Sequence, residues 1–464
     1  MFARLKTIGV ALAFFAISLP TSATTLADAL VVAYQTNPQI ISQQAFLRAT
    51  DESAVSARAN LLPTLKQTLS FTRSAGLNMP SQTRDPHGQW TLNTTMTMQL
   101  FDSGADRLTL EAAQMSILAG RQALLQIEQS VLLSTVFTFV DVRRDQQLVR
   151  LAQSNVKVLR EQLSAARNRF EVGEVTLTDV AQAESRLSAA MSQLESNRGQ
   201  LAQSENAYTA IVGIAPNDLR KPRAAPKLPS TLAKAEAVAT KKHPRIVQAQ
   251  FNAKAAELTK KSTVKNRAPR IDGSIGYAMG KNFGGNELST DDVTATITGT
   301  INLYQGGRLN SNIRRDTAMH QQSLSNVQQS GFVTRQSLRN AWANWQSASA
   351  SIKSNRQQVR AAQVAFDGVR EEAKLGARTT LDALNAEQEL LNARFQLVNA
   401  ERNQYVAQYQ VLSEMGLLTA QHLNLGIPIY NPDINFQAVT KKKFGNLGLK
   451  RSKLFEKLKK RNGG

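Results

Sequence analysis

From Trp90 onward the even positions read Trp90, Leu92, Thr94, Met96, Met98 and Leu100, while the odd positions read Thr91, Asn93, Thr95, Thr97 and Gln99. A period of two that sorts apolar from uncharged polar residues predicts a β-strand, because successive side chains point to opposite faces. The pattern returns as Val293, Ala295, Ile297, Gly299, Ile301 and Leu303 against Thr294, Thr296, Thr298, Thr300 and Asn302, which predicts a second strand reaching Leu303. Partner strands are expected through Leu65, Gln67, Leu69 and Phe71, and through Ile271, Ile275, Tyr277 and Met279. Segments of about ten residues with two such faces suit an outer-membrane barrel, lipid outside and water within, and a soluble sandwich strand alternates in the same way. Four strands cannot close a barrel and an open edge is not tolerated in lipid, so the membrane reading requires several chains to share one barrel.

Elsewhere the period changes from two to seven. Leu118, Leu125, Leu132 and Phe139 recur within a proline-free span over residues 104–170, and Val180, Leu187, Leu194, Leu201 and Tyr208 follow a glycine turn. A second proline-free span covers residues 307–374, with Leu390, Leu397 and Val411 after its own turn. Sustained heptads predict paired, supercoiled helices, and a continuous helix of about 65 residues reaches roughly 100 Å. Shorter helical stretches are expected over residues 26–62 and 232–267, each interrupted at Pro38 or Pro244, since proline disfavours a helical conformation in the residue before it.

These landmarks recur at a fixed distance. Pro38 and Pro63 lie 206 residues before Pro244 and Pro269, while Gly104, Gly173, Asp179, Glu184 and Gly213 lie 203 residues before Gly307, Gly376, Asp382, Glu387 and Gly416. The shift falls between Pro63 and Leu100, as one shorter loop, which is what two copies of one fold produce. The expected boundaries are 24–216 for the first repeat, 217–230 for a proline-rich linker, 231–418 for the second repeat and 419–464 for a C-terminal extension.

Residues 1–23 place Arg4 and Lys6 ahead of an apolar run and small residues at Thr21 and Ala23, which reads as a secretory signal peptide. No further run of about 18 apolar residues follows, so no transmembrane helix is expected. The absence of cysteine excludes disulfides and thiolate metal sites. The formal charge is +21, and much of it sits in residues 441–461, where ten basic residues face Glu456. Such a block is expected to be a solvated tail, with an anionic-lipid or partner contact as the other reading, and the export signal argues against nucleic acid. His87, His243, His320 and His422 are scattered without metal-binding spacing, and no phosphate loop or activated nucleophile stands out. The chain therefore reads as a non-enzyme with no cofactor and no metal.

In this order and at constant offset, the features resemble the TolC family of bacterial outer-membrane efflux and secretion proteins, over nearly the whole chain up to about Leu425. The residues that carry the resemblance are "NPQI" early, "LFDSG" and "LYQGG" at the strand-to-helix junctions, and "VGEVTLTDV" and "LGARTTLDAL" at the hairpin turns. The resemblance implies a mixed α/β membrane protein: a homotrimer whose outer-membrane β-barrel, four strands per chain, continues into a long periplasmic α-helical coiled-coil barrel, with an internal two-fold repeat. It implies a non-catalytic exit duct of a tripartite efflux pump or type I secretion system. That duct would lie in the outer membrane, contact its lipid, extend into the periplasm, and be recruited by a periplasmic adaptor (membrane fusion) protein and an inner-membrane ABC or RND-type transporter. A passive outer-membrane pore and a soluble periplasmic coiled-coil scaffold are the alternatives.

The resemblance also assigns roles. Arg378 would latch the periplasmic gate against Asp179 and Thr178, Asp382 would form an acidic ring in the pore, and Gly173, Val175, Gly376 and Ala377 would meet the adaptor at the hairpin tips. Two positions depart from the family, since Ala373 stands where a tyrosine is common and Asn385 where a further aspartate is, so a looser or less cation-selective mouth is expected. A plain capping role for Asp179 and Asp382 stays open, because an aspartate near a helix start accepts backbone hydrogen bonds. The two turn glycines are expected to supply positive φ. Trp90 is a candidate membrane-interface anchor, whereas Trp342 and Trp345 read as helix packing.

Overall fold

The computed structural model describes residues 24–74, 87–283 and 289–440, so the expected signal peptide and the basic run from Lys441 lie outside the described residues. Helices α1 (Leu26–Thr36) and α2 (Pro38–Ala59) lead into strands β1 (Thr64–Ser74) and β2 (His87–Phe101), then into α3 (Ala105–Glu171) and α4 (Leu177–Val212). The same succession of types follows in α5 (Leu232–Lys242), α6 (Pro244–Lys265), β3 (Arg270–Phe283), β4 (Ser289–Thr300), α7 (Arg308–Lys374) and α8 (Thr380–Glu414), and α9 (Pro432–Thr440) comes last. The helix breaks expected at the two prolines are present. Asn37 Oδ1 accepts the Gln39 N–H at 2.9 Å and His243 Nδ1 accepts the Arg245 N–H at 3.2 Å, while each proline occupies the first helical position, where no N–H is needed.

The chain folds into two compact units, each drawn from both halves of the sequence. One comprises residues up to Ala33, Ser134–Pro226 and Ser349–Val406. Two of the heptad residues, Val180 and Leu194, lie in its core among residues the heptad count did not name: Leu163, Ala166 and Ala183 join Val180 to pack α3 on α4, and Val149, Val156, Ala190 and Leu384 join Leu194 to bring in α8. Phe139 and Tyr208 are fully buried and meet at a tilt, with centroids 6.4 Å apart. One stretch of α3 is apolar enough to cross a membrane, yet half of it is buried, as in a packed core helix.

The other unit comprises Tyr34–Leu133, Lys227–Ala348 and residues from Ala407 onward. Its helical core gathers Ala235, Leu338, Trp342, Val411 and Met415, with Trp345 packed edge-on against Trp342 at 5.0 Å, so these two tryptophans pack helices as expected. Gly416 lets α8 end against His243, because a Cβ there would stand 2.8 Å from the His243 Cα. The C-terminal segment is strapped along α2. The Tyr430 N–H donates to Tyr34 Oη at 3.2 Å, Asn435 donates to Asp51 at 2.7 Å, Arg121 pairs with Asp433 at 2.7 Å, and Arg58 donates to the Thr440 carbonyl at 2.9 Å.

This unit also carries one antiparallel sheet in the order β1-β2-β3-β4. Its register aligns like with like in several rows that cross all four strands. Thr64, Thr97, Ser274 and Thr296 form one row, and Ser70, Thr91, Gly280 and Thr290 another. Hydroxyls pair within these rows, Thr64 with Thr97 at 2.8 Å and Ser70 with Thr91 at 2.6 Å. The opposite face carries Leu65, Met96, Ile275 and Ala295 in one row and Leu69, Leu92 and Met279 in another, which ends at Asp291 of β4 near the loop end of the sheet. One sequence expectation is corrected here: β4 stops at Thr300 rather than Leu303. Its partner strand begins at Arg270, opposite Thr300, and Pro269 before it has no N–H to extend the ladder.

Candidate gate and open sheet edges

The turn between α3 and α4 and the turn between α7 and α8 are built alike. Gly173 and Gly376 both have φ +78°, a left-handed conformation that strains any residue with a Cβ. Around each, two backbone bonds close the helix end. Glu174 N–H reaches the Arg169 carbonyl at 2.9 Å and Gly173 N–H the Phe170 carbonyl at 3.0 Å, and in the second turn Ala377 reaches Glu372 at 2.9 Å and Gly376 reaches Ala373 at 3.2 Å. This paired pattern satisfies the last carbonyls of a helix and stops it.

The next helix starts three residues later by a reciprocal cap. Asp179 Oδ2 accepts the Thr176 N–H at 3.0 Å and its hydroxyl at 2.8 Å, while Thr176 Oγ1 accepts the Asp179 N–H at 3.3 Å. Asp382 and Thr379 repeat this at 3.1, 2.8 and 3.2 Å. These bonds to threonine hold both carboxyls below their ordinary range, with Arg169 near Asp179 and Arg378 near Asp382 adding a smaller pull. Both aspartates thus hold the capping role, and in each the Oδ1 atom is without a hydrogen-bond partner among the described residues.

The latch residues are not joined within one chain. Arg378 Nε donates to Glu372 at 3.0 Å, an ion pair roughly half exposed on both sides, and Thr178 lies exposed in the first turn of α4. Val175 is half-buried and Ala377 exposed. Asn385, where a second aspartate was expected from the resemblance, accepts from Arg186 at 2.8 Å and so ties α8 to α4. Sequence reasoning missed two further features. Glu387 is buried, takes a hydrogen bond from Gln162 at 2.6 Å, and burial raises its pKa. The tips also expose Val172, Leu177 and Leu375, the last 86% accessible, which their apolar character beside a turn could have flagged.

The sheet presents the second candidate. β1 and β4 are its edges, each with one side unpaired among the described residues. Leu65 and Ile297 are 72% and 76% accessible, an arrangement water does not favour. At the end of the sheet farthest along β1, Phe71 stacks on Phe283 at 5.2 Å, the Phe283 ring lies over Gly88, and Trp90 pairs with Phe71.

Comparison with known proteins agrees with this geometry. The model of the outer membrane efflux protein family matches residues 29–214 and again 237–417. The chain is 33% identical to outer membrane efflux protein BepC of Brucella suis, covering 91% of both chains, and 25% identical to outer membrane protein TolC of Escherichia coli, covering 86% of this chain and 84% of that one. Among solved structures, the outer membrane protein VceC of Vibrio cholerae superposes with a TM-score of 0.72 at 20% identity, covering 84% of this chain and 96% of that one.

Proposed function

Because the chain belongs to the outer membrane efflux protein family, whose members are outer-membrane channels rather than enzymes, we propose that it works as a trimeric exit duct for substrates handed over by an inner-membrane transporter through a periplasmic adaptor. The observation that carries this reading is the four-stranded sheet, apolar on one exposed face, hydroxyl-lined on the other and open at both edges. Lipid accepts only a closed sheet, so β4 of one copy would pair with β1 of the next until the ring closes. The apolar rows would face lipid, the hydroxyl rows water, and Trp90 with its aromatic neighbours would sit at one interface. The ordered succession of elements, seen twice, is most simply a duplicated unit, so that each chain supplies two strand pairs and two long hairpins.

The two glycine turns would form the periplasmic mouth. Arg378 already holds Glu372, so reaching Asp179 Oδ1 and Thr178 of another copy would exchange one solvated ion pair for another, and solvent screening keeps such pairs weak. A latch of that kind closes the mouth yet yields to a docking partner. Asp382, repeated around the axis, would favour cations there. The exposed apolar tips and Gly173, Val175, Gly376 and Ala377 offer the adaptor its contact, and the carrier behind it, efflux pump or type I secretion transporter, would choose the cargo. Single-channel conductance in planar bilayers tests the gate: wild type should conduct weakly and Arg378→Ala several-fold more. A wild type already wide open, unchanged by the substitution, would replace the gated duct with a passive pore.

A further inference from the structure

We propose that the cavity beneath the C-terminal strap is a binding site for a small organic cation, whose ammonium group pairs with Glu128 and whose apolar body fills the space between α2, α3 and the strap. The cavity lies wholly within the unit that carries the sheet, and the proposal stands apart from the duct reading. Its volume is about 130 Å³, with Ile40, Leu124, Leu125 and Ile429 as apolar wall. An apolar cavity of about 150 Å³ holds benzene, so a space of this size suits one ring or a short chain.

Glu128 makes the space more than a gap in the packing. The residue is 5% exposed, and among the described residues its carboxylate takes one hydrogen bond, from the Ala420 N–H at 2.7 Å, and no ion pair. Burial raises its pKa, and the Ala420 bond lowers it by less. A carboxylate removed from water without a counter-ion is costly, and buried charges are as a rule paired. A ligand ammonium would supply the missing partner. Tyr34 and Tyr430 line the same cavity, and aromatic walls attract a cation more than a neutral group. The other charged residue facing the cavity does not compete for the ammonium. Arg121 stands two turns before Glu128 on α3, about 10 Å along the helix, and its own charge is answered by Asp433 at 2.7 Å. Arg121 Nε and Tyr430 Oη are buried without a hydrogen-bond partner among the described residues, so an acceptor at the far end of the ligand would strengthen the hold. Ile429, Tyr430 and Pro432 belong to the strap, and an occupant would therefore fasten the strap to α2 and α3.

The full-length protein is titrated with trifluorobutylammonium and followed by fluorine NMR, with trifluorobutanol and trifluorobutyrate as neutral and anionic probes of the same shape. The ammonium should bind roughly tenfold or more tightly than the alcohol, and its binding should weaken as pH is lowered towards the 4.5 of an ordinary glutamate. Tyr34 and Tyr430, both raised from 10.0 by burial, keep their protons over that range. Glu128→Gln still offers an oxygen to the Ala420 N–H, and should fold as wild type does while losing both the preference for the ammonium and its pH dependence. Leu125→Phe, which narrows the cavity and leaves the carboxylate in place, should weaken the ammonium as well. Equal affinity of wild type and Glu128→Gln for the ammonium would place the binding elsewhere and overturn the proposal. An alcohol bound as tightly as the ammonium would reduce the site to an apolar void, and a preference for the carboxylate would move recognition to Arg121; either result overturns it. Absence of binding by all three probes would leave Glu128 as an acceptor for Ala420 alone, and would overturn it too.

Discussion

His243 closes the break between α5 and α6 with an imidazole that has to remain neutral. Its Nδ1 accepts the Arg245 N–H, which a protonated ring cannot do, and burial, then the Arg245 charge, lowers its pKa from 6.5 to about 4. A depressed histidine binds its proton first in the unfolded chain, so its contribution is complete above pH 6.5 and is lost as pH falls towards 4. The loss is on the order of 3 kcal/mol at most. Thermal unfolding across that range should show a falling stability that His243→Asn, still an acceptor for the cap, flattens. Parallel curves for the two proteins would show that another group sets the slope. Pro244 announced this break in the sequence, but the ring's protonation followed from packing against α8, which no local pattern encodes. Asp179 and Asp382 were open between capping and gating for the same reason: one chain displays the cap, while the proposed gate would depend on contacts between chains.

The hairpins show how position decides the meaning of a residue type. Gly376 sits at φ +78° in a turn, whereas Gly199 lies inside α4 with open space around its Cα. Gly376→Ala should therefore cost about 1–2 kcal/mol, and Gly199→Ala should gain about 0.5–1 kcal/mol by removing backbone entropy from the unfolded chain. Denaturant unfolding of the two variants should shift in opposite directions, and shifts of the same sign would contradict the assigned conformations. The heptads and strand alternation were legible because each repeats a simple period: Leu132, Phe139, Leu194 and Tyr208 are buried as their spacing required. The end of β4 was not, because alternation continues to Leu303 while the partner strand does not. Helix α9 was missed although Asn431 and Pro432 repeat the Asn37 and Pro38 signature, with Asn431 Oδ1 accepting the Asp433 N–H at 2.9 Å. Its shortness gave no period to count.

At the scale of the assembly, four strands close a barrel only with partner chains, and the two edges left open in this chain are where the proposed barrel would need them. A charge on the lipid-facing side of a barrel is destabilising, by about 2–4 kcal/mol for Arg or Lys near the bilayer midplane and by less towards the interfaces. If the proposed barrel forms, wild type should run as a detergent-resistant oligomer on gel electrophoresis of unheated samples, which Ile297→Arg should weaken or remove, while Thr296→Arg, on the opposite face, should retain it. Loss of the oligomer in both variants, or in neither, would place the faces differently from the proposal. The hydroxyl rows carry a further consequence for traffic. If that face lines the lumen as proposed, the Thr64–Thr97 and Ser70–Thr91 pairs already satisfy one another across the strands, and the charges beside them, Lys66 and Arg270 against Asp272 and Asp292, balance, so a passing solute would meet little net charge to detain it. Such a wall is a poor reader and a good conduit, leaving discrimination to whatever loads the other end.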